Sequence, residues 1–302
     1  MTLSATLRRL RAGLELPTIL VAALIYGGWI ALTWWHAAIP AWLLFALGGW
    51  LVAWHGSLQH ETIHGHPTPW AALNRWIGFA PLSLWLPYDL YRRTHLAHHA
   101  TPEVTHPAQD PESRYLTRAG GWAGLAAAAQ ATLLGRLILG PVITIAAFLL
   151  AEARRAAVTP RLVAAEWGPH LAASGVLIAW LEWTGLGLGA YLLAFVYPGT
   201  ALSLLRSFAE HRADPLAQRR AAIVEHAGPF GLLFLHNNLH VAHHAQPGLA
   251  WYRLPDFHRR HRAQWLEANG HLLYRGYGDV FRRFALRPHD AIVHPDCRQT
   301  PP

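Results

Sequence analysis

Residues 17–36 and 41–56 form two apolar runs with no Asp, Glu or Arg, parted only by the connection HAAIPA. Each is long enough for a tilted helix to cross a hydrocarbon layer roughly 30 Å thick. Residues 171–205 hold one charge, Glu182, near the turn TGLGLG. They read as a second hairpin with crossings at 170–183 and 187–205. Over the 302 residues 53% are hydrophobic and 14% charged, against roughly 25% charged in a soluble domain. The expected class is an all-α integral membrane protein, one domain over 1–302, with no internal repeat or low-complexity linker.

All 25 basic side chains are arginine, and their placement sets sidedness, because cytoplasmic segments carry the basic excess. With four crossings, neither outer turn holds an arginine. Arg8, Arg9 and Arg11, the segment 57–168 and everything after 205 then share the cytoplasmic side. The charged N-terminus shows no small-residue cleavage site and reads as leading into a retained first span. The shorter apolar stretches 76–88 and 138–152 read as interfacial or re-entrant helices. Trp34, Trp35, Trp50, Trp54, Trp70, Trp76, Trp183 and Trp251 fall mostly near the expected membrane edges, as interfacial anchors do.

On this frame stand three histidine clusters: His60 and His64 in QHETIHGHP, His95, His98 and His99 in THLAHHA, and His240, His243 and His244 in NNLHVAHHA. On a helix, positions i, i+3 and i+4 share a face, so each cluster aims two or three imidazoles at one point. Eight imidazoles exceed one tetrahedral ion and point to two metals. Random placement of 21 histidines gives roughly 0.1 HxxHH matches per chain, and this one has two. Topology agrees. One extra crossing between His99 and His240 would put the third cluster on the opposite membrane face.

Cys297 is the only cysteine, which excludes disulfides within the chain and cysteine-ligated iron-sulfur centres. Reducing equivalents must come from elsewhere.

HxxxH, HxxHH and HxxHH, in that order at the cytoplasmic ends of two hairpins, resemble the membrane fatty acid desaturase superfamily. LRSFAEHR at 205–212, IVEHAG at 223–228, NNLHVAHHAQPGLAWYRLP at 237–255 and LEANGHLLYRGYGDVFRR at 266–283 are similar to its bacterial fatty acid desaturase branch. The resemblance covers most of residues 45–295. It implies a non-haem di-iron site in a cytoplasmic helical cap over four transmembrane helices, with an acyl chain in a buried tunnel. It also implies a further ligand, His211 in FAEHR, and a water-mediated role for Asn237 or Asn238. The expected cofactors are two Fe ions, with O2 as co-substrate and an external two-electron supply. Expected partners are the bilayer, a lipid or acyl-chain substrate and a separate ferredoxin or cytochrome b5-like donor, without nucleic acid. The expected location is a bacterial inner membrane, with both termini and the active site cytoplasmic.

Hydrogen removal from an unactivated alkyl chain needs an oxidant stronger than any side chain, hence metal-activated O2. Substrate positioning then decides which carbon reacts. Metal-bound imidazoles must be neutral, and acceptors behind them fix their tautomers. Glu61, Asp110, Glu112, Glu210 and Glu225 are candidates for that supporting role, with His66 and His236 behind the ligands as well. The arginines from Arg253 to Arg287 offer a basic face to anionic headgroups or to an acidic electron carrier.

Three rival readings remain. His60-Glu61-Thr62-Ile63-His64 is also HExxH, the zinc metalloprotease signature, which needs one further ligand and leaves six histidines unused. A metal transporter would place ionisable groups inside the spans, which here are nearly bare. Hydroxylases and carotenoid ketolases share the ligand scheme, the latter with an element like Trp251-Tyr252-Arg253-Leu254-Pro255. Alkane hydroxylases have a longer second box than HLAHH.

Overall fold

The computed structural model describes residues 13–297, so Arg8, Arg9 and Arg11 lie outside the described residues. Among the described residues four helices are long and apolar enough to cross a membrane: α1 Leu16–Trp34, α2 Ala41–Ile63, α8 Pro160–Thr184 and α9 Leu188–Glu210. At 1.5 Å per residue, the 19 residues of α1 span roughly 28 Å, close to the thickness of the hydrocarbon core. The 23 residues of α2 span roughly 34 Å, so α2 outlasts that layer by about a turn. The third of these helices begins at Pro160, ahead of the 170 expected.

The other described helices are not among these four: α3 Ala71–Gly78, α4 Tyr88–Ala100, α5 Gly121–Ala129, α6 Leu133–Ile138, α7 Gly140–Val158, α10 Pro229–Leu233, α11 His240–Ala245, α12 Leu254–Ala268 and α13 Tyr277–Phe284. The all-α expectation departs at one point, a parallel pair of two-residue strands, β1 Ile223–Val224 and β2 Leu273–Tyr274. The stretch 76–88 is not one helix. Pro81 and Pro87 interrupt it and Leu84 takes φ 65°, because proline removes a donor and disfavours helix in the residue before it. The 138–152 stretch does form a helix, α7, which is outside the four candidate spans.

By contact the chain forms two units. The first comprises the residues up to Asp89 with Ala164–Gly199, the second Leu90–Val163 with Thr200 onward. Within the first unit, α2 meets α9 where α9 loosens into a π-helical turn at Leu192–Val196. The approach depends on missing side chains. A Cβ at Gly48 would lie 2.6 Å from the Ala194 carbonyl oxygen, and one at Gly199 would lie 2.6 Å from Val52 Cβ. Overpacking of this kind costs about 1–3 kcal/mol. Gly48→Val is therefore expected to lower the thermal unfolding midpoint in detergent, with Gly27→Val, whose Cβ meets nothing within 4 Å, as the neutral control. An unchanged midpoint for Gly48→Val would contradict this packing.

The last two turns of α2 are fixed to the residues that follow it. Gln59 Nε2 donates to the Gly78 carbonyl at 2.9 Å, and Thr62 Oγ1 lies 3.1 Å from Tyr88 Oη. Trp34, Trp180 and Trp183 cluster in edge-on and tilted contacts with centroids 5.3–5.7 Å apart. Trp34, Trp35, Trp70, Trp76 and Trp183 are exposed, as anchors would be, whereas Trp54 and Trp251 are buried packing residues.

Within the second unit, α11 rests on a core of Ile223, Leu239, Ala242, Leu254, Trp265 and Leu266. Ala242 occupies the inward face of the helix, which turns the stripe of His240, His243 and His244 away from that core. Strand β1 ties this shelf to the segment before it. Val224 N donates to the Asn238 carbonyl at 2.8 Å, and Asn238 Nδ2 returns to the Val224 carbonyl at 2.7 Å.

Candidate metal centre

Four imidazoles of the second unit, His98, His211, His240 and His244, bring ligand atoms within 4.8 Å of one another. They come from three local devices. His98 projects from α4 and His240 and His244 from α11, while His211 follows α9 directly and is held by pairing with the 220–222 segment. Arg212 N donates to the Arg220 carbonyl at 3.0 Å, and Ala222 N to the Glu210 carbonyl at 2.8 Å. The Nε2 atoms face inward. His211 and His240 are 2.8 Å apart, His240 and His244 3.1 Å, and His98 and His244 3.3 Å.

Their outer nitrogens meet acceptors. His98 Nδ1 donates to Asp110 Oδ1 at 2.9 Å, His211 Nδ1 to the Arg220 carbonyl at 3.1 Å, and His240 Nδ1 to Asn237 Oδ1 at 3.2 Å. The Asn237 amide is itself oriented, because its Nδ2 donates to Glu210 Oε1 at 2.7 Å. A neutral imidazole has one proton, and these acceptors hold it on Nδ1. The Nε2 lone pairs of His98, His211 and His240 therefore point into one volume, and the 2.8 Å His211–His240 contact has no proton between its partners. A metal cation bound among them would relieve that arrangement. The donor set fits a metal.

A second group lies alongside it in the same unit. His95, His99 and His243 also place ligand atoms within 4.8 Å of one another. Nε2 of His99 is 3.1 Å from that of His95 and 3.0 Å from that of His243. His95 Nδ1 donates to Glu112 at 3.1 Å. In the first unit, His60 lies in the last turn of α2 and His64 caps it, with ring centroids 4.8 Å apart.

Burial keeps four of these rings, His99, His211, His240 and His244, neutral, as ligation requires. Desolvation, with the charges of His95 and His98, lowers His99 to about 3, and desolvation with His98 lowers His211 to about 3. His240 and His244 lie well below the ordinary range, from burial and then from neighbouring imidazoles. His98 differs. Burial opposes its charge, but the hydrogen bond to Asp110 and the charges of Glu112, Asp110 and Glu210 outweigh it and raise the ring. Burial also opposes ionisation of Glu112, yet the His95 charge and hydrogen bond hold that carboxyl at about 2.

Other expected supports sort clearly. Asp110, Glu112, Glu210 and Asn237 stand behind the histidines as described, with Glu210 also paired to Arg206 at 3.1 Å. Asn238 fastens β1 through its Nδ2, and His66 Nδ1 faces Glu15 at 2.7 Å. Glu61 Oε1 lies 3.9 Å from His60 Nδ1. Two expectations fail. Glu225 is engaged by Arg262, and by His258 at 3.2 Å, because those long side chains reach it from α12. His236 takes a left-handed backbone, φ 56°, that carries its ring onto Trp251 at 5.7 Å. Among the arginines after 253, Arg259, Arg262 and Arg283 are answered by Asp256, Glu225 and Asp279.

The family model described as fatty acid desaturase matches residues 32–276, a span that contains all nine of these ligand-type histidines. No curated protein matches the chain. The match covers most of the chain and runs from the first box through the third, and with it the histidine clusters and the four apolar helices gain one common explanation: the chain belongs to the fatty acid desaturase family.

Proposed function

We propose that the protein is an O2-dependent di-iron membrane oxidoreductase that introduces a C=C bond into a fatty acyl chain. The observation that carries this reading is the convergence of histidine ligand atoms in clusters, inside a fatty acid desaturase family match. The assigned ligands are His60, His64, His95, His98, His99, His211, His240, His243 and His244. His60 and His64 enter on the family pattern and on their donor chemistry. Two iron ions there would supply the oxidising power that removal of unactivated hydrogens demands.

The chain's own residues then have distinct tasks. Asp110, Glu112, Asn237 and the Arg220 carbonyl hold the ring protons on the outer nitrogens, which keeps Nε2 basic and each ring fixed. The spans, arranged in two hairpins below a cytoplasmic cap, would align the acyl chain, since the reacting carbon offers no polar handle. Electrons come from a separate donor, for which the unanswered arginines after Arg253 are a steering surface.

A hydroxylase or ketolase reading draws on the same ligands and on the Trp251–Pro255 element; the product separates it from desaturation. A zinc peptidase centred on His60, Glu61 and His64, or a metal transporter, makes a different forecast for metal content. Protein purified aerobically from iron-replete cells should carry about two irons per chain, and fewer than about 0.5 after His98→Ala, since ligands act jointly in binding. One zinc per chain with peptidase activity would overturn the assignment.

A further inference from the structure

Outside the nine histidines, His106, His294 and Cys297 bring three more ligand atoms within 4.8 Å of one another. Two of them, His294 and Cys297, lie beyond residues 32–276, so the family match does not account for the cluster. His106 Nε2 is 3.8 Å from Cys297 Sγ. Zinc bonds of about 2.0 Å to nitrogen and 2.3 Å to sulfur at a tetrahedral angle predict roughly 3.5 Å for that separation. His294 is fully buried, while His106 and Cys297 are half-buried, which leaves one side open to solvent.

His294 is set up as a ligand would be. Its Nε2 is 3.1 Å from Thr105 Oγ1, a hydroxyl able to accept the ring proton, which frees Nδ1 to bind a cation. A metal at Nδ1 would replace the long 3.3 Å contact from the Asp296 amide, with the Asp296 carboxylate 3.6 Å from the same nitrogen. The charges agree. Arg220, itself 1% exposed, is paired with Glu103 at 2.8 Å and Asp296 at 3.1 Å. With Cys297 as thiolate, this group has an excess of two negative charges, which a divalent cation would neutralise.

We propose that His106, His294 and Cys297 form a structural metal site for one zinc-class divalent ion, with water in the fourth position. The imidazole and thiolate donors favour zinc over magnesium or calcium. The ion fastens the 101–110 loop to the segment 291–297. That loop keeps its other anchor without the ion, because Thr105 N donates to Asp110 Oδ2 at 2.7 Å.

The test uses the full-length chain, purified under reducing conditions, loaded with Zn2+ and dialysed. Wild type is expected to retain about one zinc per chain and Cys297→Ser or His294→Gln below about 0.2, with iron unchanged in all three. Co2+ in place of Zn2+ should give a thiolate-to-cobalt charge-transfer band that Cys297→Ser abolishes. The band reads the sulfur ligand directly, so loss through misfolding is distinguished by retained iron. Equal zinc in wild type and both variants, or cobalt binding without the band, overturns the site. Iron stoichiometry is measured in the same samples, so failure here leaves the di-iron proposal to stand or fall by itself.

Discussion

Replacing His244 with alanine should abolish lipid oxidation. Its Nε2 lies 3.1 Å from that of His240 and 3.3 Å from that of His98, so the substitution removes a donor shared across the cluster and opens a void among buried imidazoles. The expected loss in turnover is at least about a thousandfold, equivalent to about 4 kcal/mol of barrier, with iron content falling alongside it. The exposed His226 is the control: His226→Ala should keep both iron and turnover. Activity within tenfold of wild type in His244→Ala, with iron retained, would remove His244 from the ligand set.

Asp110→Asn should produce the second large effect without touching a ligand. The Asp110 carboxylate accepts from His98 Nδ1, from Thr105 N at 2.7 Å and from Glu112 N at 2.8 Å. A carboxylate meets three donors at once, whereas an asparagine presents one oxygen and turns an NH2 toward at least one of them. If that NH2 meets His98, the ring proton moves to Nε2 and points at the metal. Loss of such an outer partner costs about 10–100-fold in metal affinity or activity. The readout is iron retained against a graded chelator, with Asp256→Asn as the exposed control. Equal retention in Asp110→Asn and wild type would show that Asp110 does not set the His98 tautomer.

The parts of the fold legible in sequence were those that depend on local periodicity. Apolar runs without charge marked the helices that became α1, α2, α8 and α9, because the length and polarity of a span are local properties. The i, i+3, i+4 spacing placed His95, His98 and His99 on one face of α4, and His240, His243 and His244 on one face of α11. Helix ends were harder to place. The start of α8 at Pro160 and the π turn at Leu192–Val196 answer to packing, as do the near-contacts at Gly48 and Gly199.

Long-range partners were legible only in part. Asp110 and Glu112 sit close after the second box and were within reach of a sequence argument. Glu225 was equally acidic and equally near a histidine, yet Arg262 and His258 take it, a choice made by where α12 lies. The His106, His294 and Cys297 cluster joins His106 to a pair from a distant part of the chain, and no spacing signals that long-range partner. His294-x-x-Cys297 was the one available clue.

The central claim is that this site removes hydrogen from an acyl chain. Lipid mass spectrometry of aerobic, iron-replete cells supplied with a competent electron donor tests it most directly, comparing the wild-type protein with His244→Ala. The account predicts an acyl species lighter by two hydrogen atoms that appears with wild type and vanishes in the variant. A species heavier by one oxygen atom, or no lipid difference between the two, would contradict it.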